Sequence, residues 1–144
     1  MTSLLPVVVH LKRKDGAVVQ DCDVYIGRAC NMGGWRLPKS VWANPFPAGK
    51  KFSREDAVRL YRQHIFGEFL KDPTTWCERL KGLLGDPPRT PPLPRAPPRL
   101  GCWCAPLACH GDVLVDFLFH CTKNGDALTP GRVVEVVRGL SPPY

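Results

Sequence analysis

Apolar and polar positions change period several times along the chain, and each change marks an element. Residues 6–13, PVVVHLKR, form a β-branched run suited to a half-buried strand. Asp15-Gly16 reads as a turn, after which AVVQ (17–20) continues or pairs with that strand. DVYIGRA (23–29) is a second strand. From Ser53 the period becomes helical: Val58, Tyr61, Ile65 and Phe69 share one face. Ser53 supplies an N-cap, Glu55 and Asp56 suit the first turn, and Asp72-Pro73 ends the helix. A shorter helix is predicted over 75–84, with Trp76, Leu80 and Leu83 on one face and Gly85 as its cap. Residues 100–105 read as a strand. Asp112 reads as the N-cap of a helix whose apolar face is Val113, Leu114, Phe117, Leu118 and Cys121. After the Asn124-Gly125 turn, Thr129-Pro130 resembles a helix start, and Val133, Val134, Val137 and Leu140 keep helical spacing, although four valines suit a strand as well. The tail SPPY is expected to fray.

Two segments lack a period. Residues 30–52 hold Gly33-Gly34, three prolines, Trp35 and Trp42. A loop this long inside a domain is functional or disordered, and Trp35, Trp42 and Phe46 argue for order. Residues 86–99, DPPRTPPLPRAPPR, exclude a helix or a central strand and read as an extended surface tract. Its PPLP at 91–94 and its Pro94-x-x-Pro97-x-Arg99 resemble ligands of WW and SH3 modules, so a partner of that type is expected through 91–99. Strand, loop, helix, strand and helix together predict an α/β fold in one small domain over 1–144, with a short, mostly parallel or mixed sheet and flanking helices.

Composition narrows the partners. Twenty basic residues against 13 acidic ones give a formal charge of +7, which favours nucleic acid, nucleotide phosphates or an anionic surface and also serves solubility. No segment approaches the ~20 apolar residues of a membrane span, and MTSLLPVVVH lacks the basic start of a signal peptide. The chain is therefore expected in cytoplasm or nucleus and not secreted. There, seven cysteines read as buried, metal-binding or reactive rather than as disulfides.

Cys102-x-Cys104-x4-Cys109-His110 concentrates that chemistry. On a strand, Cys102 and Cys104 face one side and Trp103 turns the other way, into a core. Three readings compete. Cys102, Cys104, Cys109 and His110, or Cys30 in the last place, suit zinc, although the spacing is tight for chelation. Alternatively, Cys109 or His110 sits in the field of the following helix as a reactive group. The third reading is packing, which also suits Cys22, Cys77 and Cys121. A second constellation is Tyr25-Ile26-Gly27-Arg28 with Trp42-Ala43-Asn44-Pro45-Phe46. Glycine then arginine at a strand's end lets an anion approach the backbone and be forked by the guanidinium, the alternative being a structural salt bridge at Arg28. Asn44 presents an amide at a turn, or caps it. The basic, aromatic loop with Trp35, Arg36, Lys39, Trp42, Lys50 and Lys51 also suits single-stranded nucleic acid.

YIGR, W-x-NPF, an amphipathic helix carrying LYR, and CWC-x-P-x-x-CHGDVL, in that order, resemble an uncharacterised domain family of small proteins from phages, bacteria and large DNA viruses. The likeness spans residues 5 to about 120. It implies that Tyr25, Gly27, Arg28, Trp42, Asn44, Pro45, Phe46, Cys102, Trp103, Cys104, Pro106, Cys109, His110, Gly111 and Asp112 form one site or one structural knot. It implies no reaction, and it admits a viral source. In similar proteins the helices run almost directly into the CWC strand, so the tract at 86–99 looks like a surface insertion apart from the shared site. The expectation is a binder of a phosphate-bearing ligand, nucleotide or nucleic-acid end, with a group-transfer or hydrolytic option. In it Cys109 and His110 are the reactive groups, Asn44 orients the substrate, and Tyr25, Gly27, Arg28, Trp42 and Asp112 bind it. The alternative is a non-catalytic, zinc-stabilised interaction module.

Overall fold

A computed structural model describes residues 5–46, 48–84, 97–103 and 109–140. The first β-branched run divides at Leu11. Val7–His10 (β1) joins one sheet, and Lys12–Lys14 (β2) pairs antiparallel with Ala17–Gln20 (β3) in a separate hairpin. Leu11 is the pivot: it is 2% exposed, and its N–H donates to the Cys102 carbonyl. The hairpin turn is Asp15-Gly16, with φ of 54° and 80°, the left-handed pair that a tight two-residue turn requires.

Val24–Tyr25 (β4) and Arg99–Cys102 (β5) complete a three-stranded sheet of order β1-β5-β4, parallel throughout, with Val8 and Val24 both opposite Leu100. The last strand in sequence is thus the central one. Its Gly101 is needed for close packing: a Cβ there would lie 2.6 Å from Cys22 Sγ and 2.9 Å from Leu11 Cδ2. With one parallel sheet, an antiparallel hairpin and four helices among the described residues, the fold is the small mixed α/β class that the pattern predicts.

Arg54–Lys71 (α1) begins at Ser53, whose side chain accepts from Asp56 N. Asp72 ends α1 and also caps Pro73–Lys81 (α2), accepting from Thr75 N. This helix starts before the expected Thr75 because Pro73 fills its first position, where a missing N–H costs nothing. The expected Gly85 cap lies outside the described residues. His110–Thr122 (α3) and Pro130–Leu140 (α4) follow. The valine-rich C-terminal segment is therefore a helix, started by Thr129, whose hydroxyl accepts from Arg132 N. The tail at 141–144 and residues 91–96 of the proposed WW or SH3 ligand also lie outside the described residues.

The core joins these helices to the sheet. Tyr61, Phe69, Phe117, Leu80, Leu100, Leu114 and Val133 are fully buried in one cluster. Helix α1 packs on α2, α3 and α4, and α3 also packs over β1. Gly111 permits that last approach, since a Cβ would lie 2.8 Å from Ile26 Cδ1 and 2.9 Å from Val8 Cγ2. No described helix is long and apolar enough to cross a membrane.

Candidate functional site

The chain leaving β4 carries Gly27 and Arg28, and the chain leaving β5 carries Trp103. The N-terminal turns of α1 and α3 arrive at the same place. Together they enclose a cavity of about 190 Å³. Gly27 and Arg28 line it from β4, Cys102 and Trp103 from β5, and Asn44 and Ala48 from the long loop. Helix α1 contributes Arg54, Ala57 and Val58, while Cys109 and His110 come from the start of α3. Arg28, Asn44 and His110, far apart in sequence, thus face one space. It lies beyond the carboxyl ends of parallel strands, where α/β sheets commonly receive ligands.

Local chemistry explains each placement. Tyr25 folds back across Gly27, where a Cβ would lie 2.5 Å from the phenol oxygen. The Tyr25 hydroxyl donates to the Arg28 carbonyl and accepts from Trp103 Nε1 at 2.9 Å. One phenol therefore ties both strand ends together, and the close approach served by Gly27 is that of its neighbour's ring. Burial raises the Tyr25 pKa, so the group stays a neutral donor. The Arg28 side chain stands exposed at the rim. Asn44 Oδ1 accepts from Phe46 N at 2.8 Å and Nδ2 donates to Ala57 O at 3.1 Å, clamping the loop to α1. Its second amide hydrogen and second lone pair are what it has left for a ligand.

Helix α3 begins earlier than expected. Cys109, not Asp112, is the N-cap, with Sγ accepting from Gly111 N at 3.4 Å. Asp112 is the third helical residue, and its carboxylate accepts from Cys109 N at 2.9 Å. This is a capping box with cysteine and aspartate in place of the usual serine and glutamate. Asp112 is thereby engaged in the cap and does not line the cavity. The cap also occupies the N–H groups of Cys109, Gly111 and Asp112, so an anion in the cavity would rely on guanidinium groups rather than on these amides.

His110 is buried beside this cap, its ring 4.8 Å from that of Tyr61. Its Nε2 lies 2.7 Å from the Ile26 carbonyl, which only accepts. The proton is therefore assigned to Nε2, so that whenever the ring is neutral its lone pair is on Nδ1. Nδ1 faces Cys109 Sγ at 3.6 Å, and that sulfur lies 3.2 Å from Cys102 Sγ. Two thiols and a proton acceptor thus adjoin within the cavity wall. Cys104 lies outside the described residues, and Cys30 sits in the long loop, bridged to Leu37. Among the described residues no group of three or more His, Cys, Asp or Glu side chains is arranged to hold a metal ion. Cys77 and Cys121 are fully buried, and burial pushes both thiols up, Cys121 to about 12.

Two expectations change. Trp42 does not reach the cavity. It is 3% exposed in the core, 5.2 Å from Trp76 and 6.4 Å from Phe69, with its carbonyl accepting from the Tyr61 hydroxyl at 2.9 Å. Trp103, assigned to the core, is instead 38% exposed, because Cys102 takes the inward position at the end of β5. Its ring meets His10, Tyr25 and Trp35 edge-on at 6.2, 6.4 and 5.8 Å. Sequence reasoning missed Arg54. Its only signal was its place directly after Ser53, where a cation opposes the helix dipole.

No solved structure matches the chain. Uncharacterized protein R718 of Acanthamoeba polyphaga mimivirus is 36% identical over 118 residues, which cover 76% of this chain and 77% of that protein. Residues 9–120 match the family described as Domain of unknown function (DUF4326), a span that takes in every strand except the first two residues of β1, and all of α1, α2 and the cavity. The chain belongs to that family.

Proposed function

We propose that the cavity binds the phosphate group of a nucleotide or of a nucleic-acid end. The observation that carries this reading is the meeting of Arg28 and Arg54, from a strand end and a helix start, on one small cavity with Cys109 and His110 in its wall. Guanidinium groups fork phosphate oxygens, and the net charge of +7 favours such anions. In a group-transfer or hydrolytic step Cys109 Sγ would attack phosphorus as the ester oxygen leaves, the thiol proton passing by way of His110 Nδ1 to that oxygen, and water or an acceptor hydroxyl would then cleave the S–P bond and restore the thiol. The hydrogen bond from Nε2 to Ile26 holds the ring in the required tautomer.

Calorimetric titration with AMP and with inorganic phosphate at low salt tests this reading. The wild-type protein is expected to bind both. Arg28→Ala is expected to weaken binding about 10- to 100-fold, the value of one or two charge-assisted hydrogen bonds, with an unchanged melting temperature. Absence of binding, or unchanged affinity in Arg28→Ala, contradicts the proposal. A large loss of stability would instead make Arg28 structural. One observation favours a second reading, a zinc-stabilised interaction module: the sulfurs of Cys102 and Cys109 and Nδ1 of His110 adjoin. Co-purification of one equivalent of zinc, with unfolding on chelation, would favour it.

A further inference from the structure

The cavity is too small to enclose a whole nucleotide. Pockets that bury a drug-sized ligand hold ~300–1,000 Å³, against about 190 Å³ here. A phosphate and part of its sugar fit, and whatever they are attached to lies outside. Trp103 stands at that mouth, lining the cavity and 38% exposed. Its ring is fixed by the Nε1 hydrogen bond to Tyr25 and by the edge of Trp35. A fixed, partly exposed indole suits stacking by a base, whatever its identity.

The chemistry continues away from the mouth. The Arg13 guanidinium lies 5.4 Å from the Trp35 ring centroid and bonds to the carbonyls of Gly34 and Gly16. The bond to Gly34 ties the hairpin to the long loop, and the bond to Gly16 stays within the hairpin. Lys12 and Lys14, on either side of Arg13 in β2, are exposed on the opposite face of the strand. Cavity, Trp103, Trp35 and Arg13 are thus linked by successive contacts that lead away from the mouth.

Resting on the phosphate reading, we infer that the ligand is a single-stranded nucleic acid. Its terminal phosphate enters the cavity between Arg28 and Arg54, its end base stacks on Trp103, and its next phosphate reaches Arg13. Stacking supplies sequence-tolerant affinity, and the small cavity selects for an end.

The test measures fluorescence anisotropy with short oligothymidylates phosphorylated at the 5′ end, at the 3′ end or at neither, beside calorimetry with AMP and inorganic phosphate. One phosphorylated form is expected to bind about tenfold or more tighter than the unphosphorylated strand and than AMP. Trp103→Leu is expected to weaken that form about tenfold and leave inorganic phosphate unaffected. Arg13→Ala is expected to flatten the salt dependence of oligonucleotide binding through the loss of one phosphate contact. Should Trp103→Leu fail to fold, Arg13→Ala on the exposed hairpin carries the same expectation. Oligonucleotides that bind no tighter than AMP, or equally with and without the terminal phosphate, overturn the inference while the phosphate reading stands. Failure of inorganic phosphate and AMP alike to bind overturns both.

Discussion

Replacing Phe69 with alanine is expected to lower the unfolding free energy by about 3–5 kcal/mol, the range for removing a buried phenyl ring. That is a large share of the ~5–15 kcal/mol typical of a domain. Phe69 is fully buried where four rings converge: Trp42 at 6.4 Å, Phe66 at 6.2 Å, Trp76 at 5.7 Å and Phe117 at 4.9 Å. Those rings come from the long loop, α1, α2 and α3, so one deletion loosens the whole helical layer. It also unseats Trp42, two residues before Asn44, and so disturbs the cavity wall. Urea unfolding measures the loss. Phe119→Ala is the control: at 47% exposure it is expected to change stability by less than about 0.5 kcal/mol.

The double change Arg28→Ala with Arg54→Ala is expected to weaken AMP binding by at least about a hundredfold, since both guanidinium groups are removed. Arg54 occupies the first position of α1, beside the positive end of the helix dipole, where a cation costs roughly 0.3–1 kcal/mol. A largely unchanged melting temperature, alongside lost binding, separates a ligand role from a structural one. Loss of both together would contradict it.

Much of the framework was legible because single periods dominate it. The stripe Val58, Tyr61, Ile65 and Phe69 marks α1, with Tyr61, Ile65 and Phe69 fully buried as the stripe requires. Ser53, Asp72 and the Asp15-Gly16 turn act through local hydrogen bonds and backbone freedom, which sequence encodes directly. The misreadings arose where distant contacts decide. Asp112 outranks cysteine as a cap by ordinary preference, yet Cys109 sits a full step earlier with Asp112 closing the box behind it. Trp103 was sent inward by alternation, but the chain has already left β5 at Cys102, so the strand rule no longer applies to it. The break at Leu11 was invisible because VVVHLKR is one uninterrupted run, and only the pairing of β1 with β5, some ninety residues on, divides it. Of the site, Arg28, Asn44, Cys109 and His110 could be named from chemistry. Arg54 could not, because its relevance comes from where α1 points.

The most direct test of the central claim is a crystal structure of the protein grown with AMP. The account predicts the phosphate inside the cavity, its oxygens within hydrogen-bond distance of the Arg28 and Arg54 guanidinium groups and the base outside against Trp103. A phosphate bound elsewhere on the surface, with Arg28 and Arg54 both turned away from it, would contradict it.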